Sequence, residues 1–159
     1  MSLDKVLIVG QGLAGSAVAV ACQRKNIDFH IVDSPSRNSS SVIAAGLVNP
    51  VLLGRMRSIW NGKEFHEFAI DHFKDIVALT KQDFLFQLPV YRVFADVKEQ
   101  NDWNAVNTEN WFSTYLSGSK ELYEAFLQPH LGGGVYNDAY RIDTRSYLEA
   151  LRDYWRAQD

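Results

Sequence analysis

The residues from Val6 to Asp33 constrain the fold of this chain more than any other stretch. Val6-Leu7-Ile8-Val9 is a short uninterrupted apolar run rich in branched side chains, the pattern of a strand buried on both faces of a parallel sheet. Gly10-Gln11-Gly12-Leu13-Ala14-Gly15 follows with no spacer. Ala14 to Lys25 then reads as a helix with Ala17, Val18, Ala21 and Cys22 as its apolar face, and Asn26 stops it. Phe29-His30-Ile31-Val32 reads as a second strand and ends in Asp33. The result is a strand–helix–strand unit of about thirty residues, which places the chain in the α/β class with a Rossmann-like parallel sheet.

The three glycines have separate mechanical jobs. Gly10 permits the tight turn out of the strand, Gly12 lets backbone approach a diphosphate, and Gly15 lets the helix lie close on the sheet. The first amides of the helix, around Leu13 and Ala14, lack intrahelical partners and sit at the positive end of its dipole. Asp33 stands at the distance expected of a carboxylate that accepts hydrogen bonds from a ribose diol. A turn that merely joined strand to helix would leave Asp33 without a role. The unit therefore predicts a dinucleotide site, with FAD and NAD both open at this point. Asp33 disfavours NADP, whose extra phosphate it would repel.

Downstream the pattern changes. Ser34 to Ser41 reads as a polar loop, and Gly46, Pro50 and Gly54 argue against a long helix in the apolar stretch Val42 to Leu53. Gly62 to Lys81 predicts a helix with Phe65, Phe68, Ala69, Phe73, Ile76 and Val77 on one side. Strands are expected around Pro89 between Phe84 and Phe94, at Gly134-Val135-Tyr136 and at Tyr140-Arg141-Ile142. Asp96 caps a short helix toward Val106, while Trp111 to Leu131 is ambiguous. Asp143 caps a last helix with Tyr147, Leu148, Leu151 and Tyr154 or Trp155 as its buried stripe. A simple nicotinamide domain would continue with further strand–helix units. This chain instead enters a mixed aromatic region, which suggests an inserted substrate-side subdomain.

Ser39-Ser40-Ser41-Val42-Ile43-Ala44-Ala45-Gly46-Leu47-Val48-Asn49-Pro50 resembles the second signature of the D-amino-acid oxidase and glycine oxidase superfamily of FAD-dependent oxidoreductases. Gly133-Gly134-Val135, Tyr140 to Arg145 and Tyr147-Leu148 resemble the approach to that family's next nucleotide-side helix. The resemblance implies FAD as cofactor, with Ser40 or Ser41 bonding the diphosphate and Ala45, Gly46 and Leu47 approaching the flavin ring. It implies a small amine or amino acid as substrate, with hydride passing from the amine-bearing carbon to flavin N5. Residues 1–60 would be the N-terminal part of the FAD-binding fold, 61–138 a partial mixed α+β substrate subdomain, and 139–159 the return helix. Family members are considerably longer, so the chain is expected to be an N-terminal portion, truncated relative to them, or a naturally short product. Two other readings stay open. One is an NAD-binding dehydrogenase, and the other is a non-catalytic fragment that oligomerises through unpaired sheet edges.

No acid or base stands out for catalysis. A net charge of −3 gives no reason to expect nucleic acid or an anionic membrane, and no apolar run is long enough to span a bilayer. The single cysteine, Cys22, excludes an intrachain disulfide and makes a reducing cytoplasm the expected setting. His66 and His72 are not one helical turn apart, so no metal site is expected, and His30 reads as a packed ring. Arg55, Arg57 and Arg92 are weighed as partners of an anionic substrate against ordinary solvated arginines; Tyr91 reads as packing the sheet.

Overall fold

A computed structural model describes residues 5–34, 39–106, 109–118 and 131–158. Residues 35–38 of the expected Ser34–Ser41 loop, and 119–130 of the ambiguous stretch before Leu131, lie outside the described residues. The chain divides into two compact units. Met1–Gly46, Asp75–Phe84 and Ile142–Asp159 form the first, and Leu47–Lys74 and Leu85–Arg141 form the second.

The first unit is built on β1 (Val6–Val9), α1 (Leu13–Arg24) and β2 (Phe29–Val32). The two strands pair in parallel, with Val6 opposite Phe29 and Val9 opposite Val32. The expected strand–helix–strand unit is therefore present, but β1 is not buried on both faces. Ile8 is 6% exposed, whereas Leu7 is 63% and Val9 80% exposed. His30, expected as a packed ring, is exposed too, because its register opposite Leu7 puts it on the open face.

The buried face of α1 also differs from the expected one. Ser16, Ala19, Val20 and Cys22 are buried, while Ala17, Val18 and Ala21 are exposed. The helix is small and apolar nearly all round, so its hydrophobic period selects no face. Its closest approach to the sheet selects one instead. A Cβ on Gly15 would lie 1.9 Å from the Gly10 carbonyl oxygen, and Ala19 and Cys22 continue that stripe at helical spacing. Past the helix end, Asn26 adopts φ +52°, the left-handed conformation that stops a helix.

The short helix α2 (Ser40–Ile43) starts on Ser39, whose hydroxyl accepts from the Val42 amide. The last helix of the unit, α5 (Thr144–Arg156), starts on Asp143, whose carboxylate accepts from the Ser146 amide. Tyr147, Leu148 and Leu151 are buried as the sequence predicts. Gln23 ties α1 to α5, donating to Tyr154 Oη at 3.0 Å and accepting from Trp155 Nε1 at 3.1 Å. Trp155 meets Phe29 of β2 edge-on, with ring centroids 5.8 Å apart.

In the second unit, β3 (Leu47–Val48), β4 (Val51–Leu52), β5 (Arg57–Ser58), β6 (Leu85–Gln87), β7 (Val90–Val93), β8 (Leu116–Gly118), β9 (Gly133–Tyr136) and β10 (Tyr140–Ile142) form small sheets. Their orders are β3-β10-β6, β4-β5 and β7-β9-β8. The core contains Val51, Leu53, Phe94, Trp103, Phe112, Tyr136 and Ala139. Gly134 lets the Trp103 ring lie directly on β9, since a Cβ there would sit 2.0 Å from it.

The helix α3 (Gly62–Thr80) occupies the predicted residues and contributes to both units. Its buried side is His66, Ile70, His72 and Ile76, not the aromatic stripe the period suggested; Phe65 is 51% and Phe68 67% exposed. The helix's inward side includes polar groups, one of which meets a carboxylate distant in sequence. His66 Nε2 lies 3.2 Å from an Asp138 carboxylate oxygen, and such a contact is invisible to a hydrophobic period. The helix α4 (Val97–Asn104) is capped by Asp96 as expected, its carboxylate accepting from the Glu99 amide at 2.8 Å.

Candidate dinucleotide site

The first unit brings the glycine turn, the end of β2 and the serine segment together. Gly10 has φ +94°, which turns the chain sharply out of β1, and its amide donates to Val32 O at 2.8 Å. That bond locks the turn to the end of β2, one residue before Asp33. At the start of α1, the Leu13 amide donates to Ser41 Oγ at 3.1 Å. A Cβ on Gly12 would lie 2.8 Å from the same hydroxyl. Gly12 thus opens the space in which Ser41 reaches a first-turn amide, the kind of donor that binds a phosphate oxygen.

Gln11, Gly12, Asp33, Ser39 and Val42 line a single cavity of about 1070 Å³ together with Arg152 of α5. Asp33 lines the same cavity as Gly12 of the turn. Arg152 is a residue that sequence reasoning missed. Its Nε donates to Gln11 Oε1 at 3.2 Å, and its Nη2 lies 3.3 Å from Asp33 Oδ2. Arg152 is separated from these partners by 141 and 119 residues, so no local pattern announces it.

The remaining candidates have other surroundings. Ser40 is exposed on α2, next to Ser41. Ala45 is exposed, and Gly46 has φ +71° with its missing Cβ directed 1.9 Å from Ile142 O. The Ile142 amide donates back to Gly46 O at 2.8 Å, so contact with β10 is sufficient reason for glycine there. Leu47 opens β3 and belongs to the second unit. Of the arginines weighed for an anionic substrate, Arg92 bonds Glu99 at 2.7 Å, and Arg55 and Arg57 are exposed. Tyr91 packs over β9, where a Cβ on Gly133 would meet its ring end at 2.5 Å. Among the described residues no group of three or more His, Cys, Asp or Glu side chains could hold a metal ion.

The cradle fits a dinucleotide on its own geometry: a left-handed glycine, two positions closed to any Cβ, and a carboxylate on the same cavity. Solved structures share this arrangement of elements. An L-amino acid deaminase from Proteus myxofaciens superposes over 99% of this chain with a TM-score of 0.72 at 14% identity. A glycine oxidase from Bacillus cereus does so over 94% with a TM-score of 0.68 at 20% identity. An FAD-bound L-α-glycerophosphate oxidase from Mycoplasma pneumoniae matches 98% of the chain with a TM-score of 0.60 at 17% identity. The chain spans 37%, 43% and 43% of the lengths of these three. At such identities the likeness is one of fold. A sequence profile goes further, matching residues 5–158 from the first strand to the end of the last helix, and by that match this chain belongs to the family of FAD dependent oxidoreductases.

Proposed function

We propose that this chain holds the adenosine diphosphate half of FAD in its first unit. Gly10, Gly12 and Gly15 shape the turn, the Leu13 and Ala14 amides with Ser40 and Ser41 receive the diphosphate, and Asp33 accepts from the ribose diol. Ala45, Gly46 and Leu47 are proposed on the flavin side from the family resemblance. The observation that carries the reading is the shared cavity. Gly12 and Asp33, 21 residues apart, line it together, with the Ser41 hydroxyl against the amide that follows Gly12.

These residues bind and orient; when bound, FAD supplies the acceptor for a hydride. The substrate class we propose for the whole protein is a small amine or amino acid, in keeping with the deaminase and glycine oxidase among its structural neighbours. The substrate-side role is assigned to residues 61–138. A cytoplasmic setting is proposed from the single, buried, unbridged Cys22, and no helix among the described residues is long and apolar enough to cross a membrane. Self-association through open sheet edges belongs to the same proposal and is read by light scattering.

Equilibrium dialysis of the purified chain against ADP and against FAD tests the reading. Both are expected to bind, each displacing the other, and Gly12→Val is expected to abolish both. A chain that retains neither nucleotide refutes it. A chain that binds NAD and ADP but gains nothing from the flavin end refutes the FAD assignment alone.

A further inference from the structure

We infer that Arg152 is a positioning residue for the adenosine end of the cofactor and acts through Asp33; the inference rests on the dinucleotide reading above. Arg152 projects from α5 with its side chain 34% exposed, and it spans two strand ends. One limb of its guanidinium holds Gln11 in the turn after β1, at 3.2 Å, and the other meets Asp33 after β2, at 3.3 Å. All three residues line the cavity that Gly12 lines.

Gln11 gives the contact its meaning. It is only 7% exposed, and its Nε2 is buried with no hydrogen-bond partner among the described residues. A buried amide is normally paired. Here the bond from Arg152 to the amide oxygen holds the Gln11 side chain by one end and leaves its Nε2 as the unpaired donor. Arg152 therefore sets the turn and the carboxylate with one planar group.

Two physical effects follow. An Asp33 carboxylate without a cation would repel the doubly charged diphosphate across the cavity, and Arg152 offsets that charge. The contact also fixes the carboxylate's orientation before ligand arrives. It occupies Oδ2, and a carboxylate accepts about four hydrogen bonds, so acceptor capacity remains for two ribose hydroxyls. A preset acceptor loses less freedom on binding than a mobile one. A simple brace between α5 and β2 would produce neither effect.

The test is a double-mutant cycle read by ADP binding to the chain, using wild type, Arg152→Ala, Asp33→Ala and the pair. Arg152→Ala is expected to weaken ADP about five- to twenty-fold, the scale of a lost charge-assisted contact. In the Asp33→Ala background the same change is expected to cost less than about two-fold. The loss should shrink as salt is raised, because the repulsion it exposes is screened. If Arg152→Ala leaves ADP affinity unchanged, or weakens it by the same factor in both backgrounds, Arg152 does not act through Asp33 and the inference fails. Should circular dichroism show that Arg152→Ala is unfolded, Arg152→Gln carries the same cycle with the same deciding outcomes. A wild-type chain that does not bind ADP overturns the dinucleotide reading itself, and this role with it.

Discussion

Replacing Gly15 with alanine isolates the closest backbone approach in the first unit. The added Cβ would lie 1.9 Å from Gly10 O, 3.1 Å from Gly10 C and 3.3 Å from Ile8 Cγ2. Ordinary contact distances are about 3.5 Å or more, so α1 and the turn must separate by over an ångström. No flexible side chain can absorb the shift, because the obstacle is a carbonyl. The preceding peptide is held in place, since the Gly10 amide is bonded to Val32 O. Inserting one methyl into such packing costs about 1–3 kcal/mol. For a chain of this size that lowers the melting temperature by about 2–12 °C, at about 2–4 °C per kcal/mol. The control is Gly118→Ala, whose Cβ meets nothing within 4 Å among the described residues and whose φ is not positive. It is expected to be neutral within about 0.5 kcal/mol. Urea melts of the three proteins give the comparison, and ADP affinity should fall with Gly15→Ala and not with Gly118→Ala. Equal stability of the two variants would mean that α1 does not approach the turn as closely as the structure has it.

Ser41→Ala removes the acceptor for the Leu13 amide and is expected to cost about 0.5–1.5 kcal/mol in urea melts; it should also relieve Gly12→Ala, whose new Cβ would otherwise press on the Ser41 hydroxyl. A double mutant as unstable as the sum of its singles would contradict that geometry. Glu99 gives the pH dependence. The hydrogen bond from the Arg92 guanidinium, helped by the Ala95 amide, holds its carboxyl below the usual carboxylate range. Its stabilisation is thus present above the unfolded value of 4.5 and is lost as pH falls through the lower folded value. Glu99→Gln should cost about 1 kcal/mol at pH 7, with Arg92 nearly half exposed, and the deficit should shrink as pH falls below the unfolded value. A deficit that stays constant from pH 7 to pH 3 would assign it to packing.

How much of this was legible depends on how local each cause is. The turn, its helix and the two strands are written in consecutive residues, and the three caps or stops read from side chains alone (Asn26, Asp96 and Asp143) concern conformations and bonds across a few positions. The faces were harder. In α1, whose surface is apolar almost all round, the side was chosen by Gly15 fitting against Gly10, a contact that has no hydrophobic signature. In α3, buried His66 and His72 with exposed Phe65 and Phe68 invert the rule that aromatic stripes face inward. Within the candidate site, Gly12, Ser41 and Asp33 were legible from spacing and resemblance. Arg152 was not, since its partners are more than a hundred residues away.

The open face of β1 and β2 follows from the same logic and can be tested by itself. Parallel sheets are ordinarily covered on both sides. Here Leu7, Val9 and Val32 present 57–80% of their surface, opposite a face on which Ile8 shows only 6%. Two neighbours in one strand should therefore respond in opposite ways. Ile8→Ala empties a packed position and is expected to cost about 2–5 kcal/mol. Val9→Thr keeps the β-branched shape that suits a strand and exchanges an exposed methyl for a hydroxyl, so it should cost less than about 0.5 kcal/mol while raising solubility. Melts at two protein concentrations decide what lies over that face. A Val9→Thr cost that grows with concentration would mean that a second copy covers it. A cost as large as that of Ile8→Ala, independent of concentration, would mean that the chain covers it itself and that the face is not open in solution.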